Sequence, residues 1–195
     1  MPKVVDHWQR RGEMVQALWR IAAYEGLEAV SLNRVADEAG VSKGRVQHYF
    51  GSRDALLDYT AAYLTDRVTA RIKPRLAAAP DAPAAVRGAL LEVLPLTEDS
   101  IVDTRVGIAF LIRALGEDAL RERYSARNEQ FLELLTYYLT VARDEGAFDA
   151  GREPRAVAVE LFALVNGLKE PLLLGDLTPD DATAIVDDAL ARLAP

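Results

Sequence analysis

Apolar residues recur at three- and four-residue spacing along almost the whole chain, and no stretch alternates with period two through β-branched residues. That spacing builds amphipathic helices and does not suit half-buried strands, so it restricts the chain to an all-α fold. The periodic segments are separated by Gly, Pro, Ser and Thr, which end or cap helices. A first helix is predicted from about Asp6 to Tyr24, with Val15, Leu18, Trp19 and Ala22 on one face and an end near Gly26. Ser31 suits the N-cap of a short second helix, Leu32 to Ala39. Gly40-Val41-Ser42 makes a tight connection, and Ser42 caps a third helix running to about Phe50. Gly51-Ser52 breaks the chain and recaps it for a long fourth helix expected to stop at Pro74. Pro80, Asp81 and Pro83 open a fifth that Pro95 closes. The sixth, Glu98 to Ala114, is nearly all apolar between Val106 and Ile112, which predicts deep burial. The seventh, about Glu117 to Glu145, carries a stripe of Tyr124, Asn128, Phe131, Leu135, Tyr138 and Ala142. The eighth begins near Glu153-Pro154, with Pro in the first turn. Thr178-Pro179-Asp180-Asp181 opens the ninth at capping-box spacing. About nine helices with short connections result, without internal repeat or low-complexity tract.

At 195 residues, 50% of them hydrophobic, the chain can bury one large core or two small ones. No apolar run reaches the roughly 18 residues of a membrane span, and no signal-peptide pattern opens the sequence, so a soluble cytoplasmic protein is expected. The absence of cysteine excludes disulfides, thiolate metal sites and cysteine nucleophiles. A net charge of −7 argues against nucleic acid until its distribution is considered. Residues 1–53 hold eight basic groups (Lys3, Arg10, Arg11, Arg20, Arg34, Lys43, Arg45, Arg53) against six acids (Asp6, Glu13, Glu25, Glu28, Asp37, Glu38), a net of +2. The remainder nets −9, and residues 39–53 contain three bases and no acid. Positive charge sits where a DNA surface would be, and the acidic remainder would be repelled by phosphate.

The sharpest local signal is SLNRVADEAGVSKGRVQHYF, residues 31–50. A helix-turn-helix crosses two helices through a short turn, often with Gly. Ala36 is small where the helices approach, and Gly40 sits where a positive φ is cheap only without a Cβ. Val35, Ala39, Val41, Val46 and Tyr49 face a shared core, while Lys43, Gly44, Arg45, Gln47 and His48 point outward. Arg and Lys suit phosphate or guanine, and Gln suits adenine. An ordinary helical hairpin with solvated polar residues is the alternative; the combination of turn, caps and an acid-free third helix favours DNA.

With these residues in view, the chain resembles the TetR-type repressors through EGLEAVSL, RVADEAGVSKG, HYF and GSRDALL, which cover about residues 10–57. Gln47 stands where many members have Tyr, and Arg53 replaces their usual Lys. VQHYF and the GLKEPLLLG-containing tail are similar to a subgroup with a C-terminal half like that of the betaine-responsive regulator BetI. The resemblance implies a homodimer that binds a double-stranded DNA operator and releases it on meeting a small-molecule effector. It implies a helix-turn-helix domain at 1–52 and a helical effector-binding and dimerisation domain at 53–195. By the resemblance and by chemistry, Ser31 and Ser42 offer hydroxyls and helix-N-terminal amides to phosphate. Lys43 and Arg53 clamp the backbone, Gly44 permits close approach, Arg45 and Gln47 read bases, and His48 and Tyr49 touch phosphate. A core role for Tyr49 stays open.

Helix eight is apolar on most sides, and helix nine gathers Ala182, Ile185, Val186, Ala189 and Leu193 on one face. Such faces complete the monomer core or pack on a symmetry mate; the resemblance favours a homodimer through helices eight and nine. Candidate effector-pocket residues are Tyr59, Phe110, Arg113, Tyr124, Asn128, Phe131, Phe162 and Asn166: aromatic walls with a few polar groups in apolar surroundings. No cofactor or metal is expected. An enzyme is the weak competitor, for no phosphate-binding loop, HExxH or GxSxG occurs, and the two histidines, His7 and His48, lie in the DNA-binding part. An architectural DNA-binding protein without an effector is the other competitor.

Overall fold

The computed structural model describes the backbone of residues 5–195 and the side chains of residues 12–195. The cations Lys3, Arg10 and Arg11 and the side chain of His7 lie outside that description. Among the described residues the chain forms nine α-helices and one 3-10 turn, and no strand. These are α1 Val5–Tyr24, a 3-10 turn Leu27–Ala29, α2 Leu32–Ala39, α3 Lys43–Phe50, α4 Arg53–Ala78 and α5 Ala82–Glu92. They continue with α6 Glu98–Ala114, α7 Asp118–Asp144, α8 Pro154–Leu174 and α9 Pro179–Ala191.

The starts of these helices follow from side chains that satisfy otherwise orphaned first-turn amides. Ser31, Ser42, Ser52 and Asp81 each accept a hydrogen bond from the amide three residues on. Thr97 with Ser100, and Thr178 with Asp181, form reciprocal capping boxes. Each cap contributes on the order of 1 kcal/mol.

Two hydrophobic cores result. The first joins α1, α2 and α3 to the front of α4 and to Val106 and Phe110 of α6. The second gathers Ile72 at the far part of α4 with α5, α7, α8 and α9. α4 therefore runs from one core into the other.

Three sequence expectations are corrected. α4 passes through Pro74 and ends at Ala78. Proline forgoes one intrahelical bond, a loss of roughly 3 kcal/mol in a helix interior. Here Ile72 and Leu76 sink into the second core on either side of it, and Arg75 Nε reaches Glu92 Oε1 at 2.7 Å, so tertiary contacts hold the last turn. α6 is buried along one face only. Val106, Phe110 and Ala114 are inside, whereas Ile112 is 66% and Leu115 72% exposed, because α1, α4 and α7 pack against the same side. The chain also makes a 3-10 turn at Leu27–Ala29 where no element was expected.

Candidate nucleic-acid interface

α2 and α3 meet through a turn set by Gly40, whose φ of 64° is left-handed. The Gly40 amide donates to the Asp37 carbonyl and the Val41 amide to that of Ala36, closing α2 in a Schellman arrangement. Val35, Ala36, Val46 and Phe50 are buried between the two helices and α1, and Val41, Ala39 and half-buried Tyr49 pack on them. With those residues facing in, helical geometry turns Lys43, Gly44, Arg45, Gln47 and His48 outward, and all five are exposed. Tyr49 leans edge-on against His48, ring centroids 5.6 Å apart.

Electrostatics divide the two helices. On α2, Arg34 is drawn inward by Glu25 at 2.5 Å and Glu38 at 3.0 Å, and Glu38 also accepts from Arg20. Hydrogen bonds from Arg20 and Arg34 hold the Glu38 carboxyl below its ordinary range. The one cation of α2, Arg34, is thus spent on neighbouring acids. Lys43 and Arg45 of α3 make no ion pair among the described residues, and the α3 backbone carries no acid. The candidate interface is a short, positively charged, acid-free strip of α3, flanked by the serine-capped N-termini of α2 and α3.

Arg53 occupies a different position from the strip. Its Nε donates to the Val30 carbonyl at 2.8 Å and its Nη2 to the Leu27 carbonyl at 3.0 Å, with Glu28 at 3.3 Å. The guanidinium ties the start of α4 to the 3-10 turn that precedes α2. Gly44 has open space where a Cβ would stand, so nothing among the described residues demands glycine there.

The pocket candidates fall into three groups. Phe110 is buried in the first core, and Tyr59 packs there against Phe50 and Tyr63. Arg113 pairs with Glu117 at 2.6 Å and with Asp54 at 3.7 Å, which joins the end of α6 to the first turn of α4. Tyr124, Asn128 and Phe131 lie on α7, and Phe162 and Asn166 on α8, which packs against it; the rings of Phe131 and Phe162 stand 6.0 Å apart. Sequence reasoning missed two cations in that last group, Arg127 and Lys169. Lys169 sits with Glu170 in the mostly apolar GLKEPLLL run, which was the available signal. No helix among the described residues is long and apolar enough to cross a membrane.

Comparison with known proteins places both parts. The model of the tetR family of bacterial regulatory proteins matches residues 15–60, and that of the BetI-type transcriptional repressor C-terminal region matches residues 82–195. The transcriptional regulator BetI of Burkholderia mallei is 30% identical over 171 residues, covering 86% of this chain and 84% of the relative. The regulator PksA of Bacillus subtilis is 29% identical over 168 residues, covering 86% and 80% respectively. A transcriptional regulator from Saccharomonospora viridis, solved in complex with choline, shares the fold with a TM-score of 0.85 at 19% identity, covering 96% of this chain and 97% of that one. A helix-turn-helix matched at its N-terminus and a BetI-type helical region over most of the remainder mean that the chain belongs to the TetR family of transcriptional regulators.

Proposed function

We propose that this regulator lays α3 in the major groove of a palindromic operator, acts there as a repressor, and lets go when a small organic effector enters the C-terminal domain. The observation that carries this is the exposed strip of Lys43, Gly44, Arg45, Gln47 and His48, whose two cations have no acid to neutralise them among the described residues. Arg45 and Gln47 read base edges, Lys43 and His48 meet phosphate, and the capped amides at Ser31 and Ser42 receive phosphate oxygens. Half-buried Tyr49 contributes to core and phosphate alike. Arg53 acts at one remove, by fixing the loop that presents α2. The DNA-reading unit is residues 1–52, carried on α4, and residues 53–195 sense and dimerise. Such a regulator works in the cytoplasm, alongside the chromosome.

Dimerisation is assigned to α8 and α9. The apolar face of α9 (Ala182, Val186, Ala189, Leu193) is already buried in the protomer's own core. Outside it on α8 stand Ala156, Val159, Ala163, Gly167 and Leu174, beside the polar Glu160, Asn166 and Glu170, with Val159 47% and Leu174 68% exposed. Small residues at this spacing let two helices come close, and α9 adds Ala184 and Ala191. A ladder of ion pairs supports transmission from the C-terminal domain to the head. Asp54 and Asp58 near the start of α4 face Arg113 of α6 and Arg123 of α7, and Arg67 and Arg71 further along face Asp103 of α6. The choline held by the Saccharomonospora regulator supports a small-molecule effector for this chain. Only a ligand with unequal affinity for the DNA-bound and released states can act this way.

Binding to DNA of varied sequence and salt tests the assignment. Arg45→Ala and Gln47→Ala should each cost about ten- to a hundredfold in affinity for the operator over random DNA. Lys43→Ala should weaken all sequences alike and flatten the salt slope by about one unit. Gly44→Ala should leave the protein as stable or up to about 1 kcal/mol more so, yet bind its operator more weakly. Wild-type affinity in all four variants would remove α3 from the interface.

A further inference from the structure

The inner sides of α7 and α8 hold an unusual group of side chains. Tyr124, Arg127, Asn128 and Phe131 on α7, and Phe162 and Lys169 on α8, are all half-buried. The Arg127 guanidinium lies 4.3 Å from the centre of the Tyr124 ring. Asn166 donates through Nδ2 to the Phe162 carbonyl at 2.8 Å, which fixes its side-chain oxygen to accept from Lys169 Nζ at 2.9 Å. One neutral amide oxygen is thus the partner of the ammonium. Neither Arg127 nor Lys169 has a carboxylate partner among the described residues.

Lys43, Arg45, Lys73 and Arg192 also lack an ion pair among the described residues, but they stand in water, whereas Arg127 and Lys169 are half-buried in a chain with 30 acids to 23 bases. Neighbouring arginines are paired, Arg155 with Glu129 and Arg152 with Glu160. Two like charges half withdrawn from water on packed helices cost free energy unless an anion joins them. Burial, and then the charge of Arg127, push the Lys169 ammonium down to about 8, in keeping with a cation that lacks its counter-charge. The nearby Phe131–Phe162 pair offers an apolar wall.

We propose that this α7–α8 site binds an amphipathic organic oxyanion, its carboxylate or phosphate head between Arg127 and Lys169 and its apolar body against Phe131 and Phe162. The proposal rests on the reading of residues 53–195 as the effector domain and names the ligand's chemical class. It separates this chain from the Saccharomonospora regulator, whose bound choline is a cation. Two unpaired cations repel such a ligand and attract its opposite.

Calorimetric titration of the full-length protein with four probes tests this: octanoate, octyl phosphate, octanol and choline. The two anions should bind saturably at one site per chain, at least tenfold more tightly than octanol, with choline weakest; the tighter anion identifies the head group. Lys169→Gln and Arg127→Gln should each weaken the anion about tenfold, while Lys73→Gln on α4 should change nothing. Equal binding of octanol and octanoate, tightest binding of choline, no saturable binding of either anion, or unchanged anion affinity in both glutamine variants would overturn it. Operator binding is measured separately on the same preparations. An intact operator complex with no anion site refutes this proposal alone, whereas loss of operator recognition in the unmodified protein refutes the functional reading beneath it.

Discussion

An Asp103→Ala variant should melt about 6–12 °C below the parent. Asp103 is 3% exposed and takes Arg67 Nε on one oxygen at 2.8 Å and Arg71 Nη1 on the other. Removing a buried partner strands the opposite charges and costs roughly 3–5 kcal/mol. The two guanidinia are about a quarter exposed and keep second partners, Asp99 at 3.1 Å and Glu92 at 3.4 Å, so the lower end of that range applies. About 3 kcal/mol corresponds to the stated shift in a chain of this size. The Arg67 guanidinium also sits 5.7 Å from the centre of the Trp19 ring, so this cluster fastens α1, α4 and α6 together. Asp103→Asn retains an acceptor and should lose less. Thermal unfolding followed by circular dichroism decides it: a shift within 2 °C for the alanine variant would mean that the cluster is merely solvated.

Disrupting the exposed line of α8 should lower operator affinity by a factor of about 10²–10⁴ without touching the DNA-binding surface. Val159→Asp with Ala163→Glu places two carboxylates opposite their own symmetry copies on a face that is bare in the protomer. Each half-site then loses the effective concentration supplied by its linked partner, which gives the stated factor. Sedimentation should show a monomer of unchanged helix content, and anisotropy the weakened complex. A variant that stays dimeric would move the seam elsewhere, and a monomer that binds the operator with full affinity would remove dimerisation from the mechanism.

Much of this was legible because local chemistry governed it. α2 and α6 begin and end at the residues their caps and periodicity indicate, and Gly40 adopts the left-handed turn its position required. The outward set of α3 was legible too, since Val46 and Phe50 fix which side faces in. What escaped depended on distant partners. Asp103 is one acid among 30 until folding brings Arg67 and Arg71 to it. Arg53 also ties α4 to the 3-10 turn, a role that escaped because carbonyl acceptors at Leu27 and Val30 leave no mark in a sequence. Pro74 stopped the expected helix because propensity does not register the second core that holds α4 beyond it. That Tyr59 and Phe110 pack in the first core, and that Arg127 and Lys169 are half-buried on packed helices with no acid as partner among the described residues, shows only once the chain is folded.

The most direct test of the central claim is a nuclease footprint of the purified protein across DNA flanking its own gene, at low ionic strength. Two protected half-sites related by a dyad, centred about 10 base pairs or a multiple apart, are expected, and Arg45→Ala with Gln47→Ala should erase them. Uniform protection with no preferred site, or a footprint indifferent to those two substitutions, would contradict it.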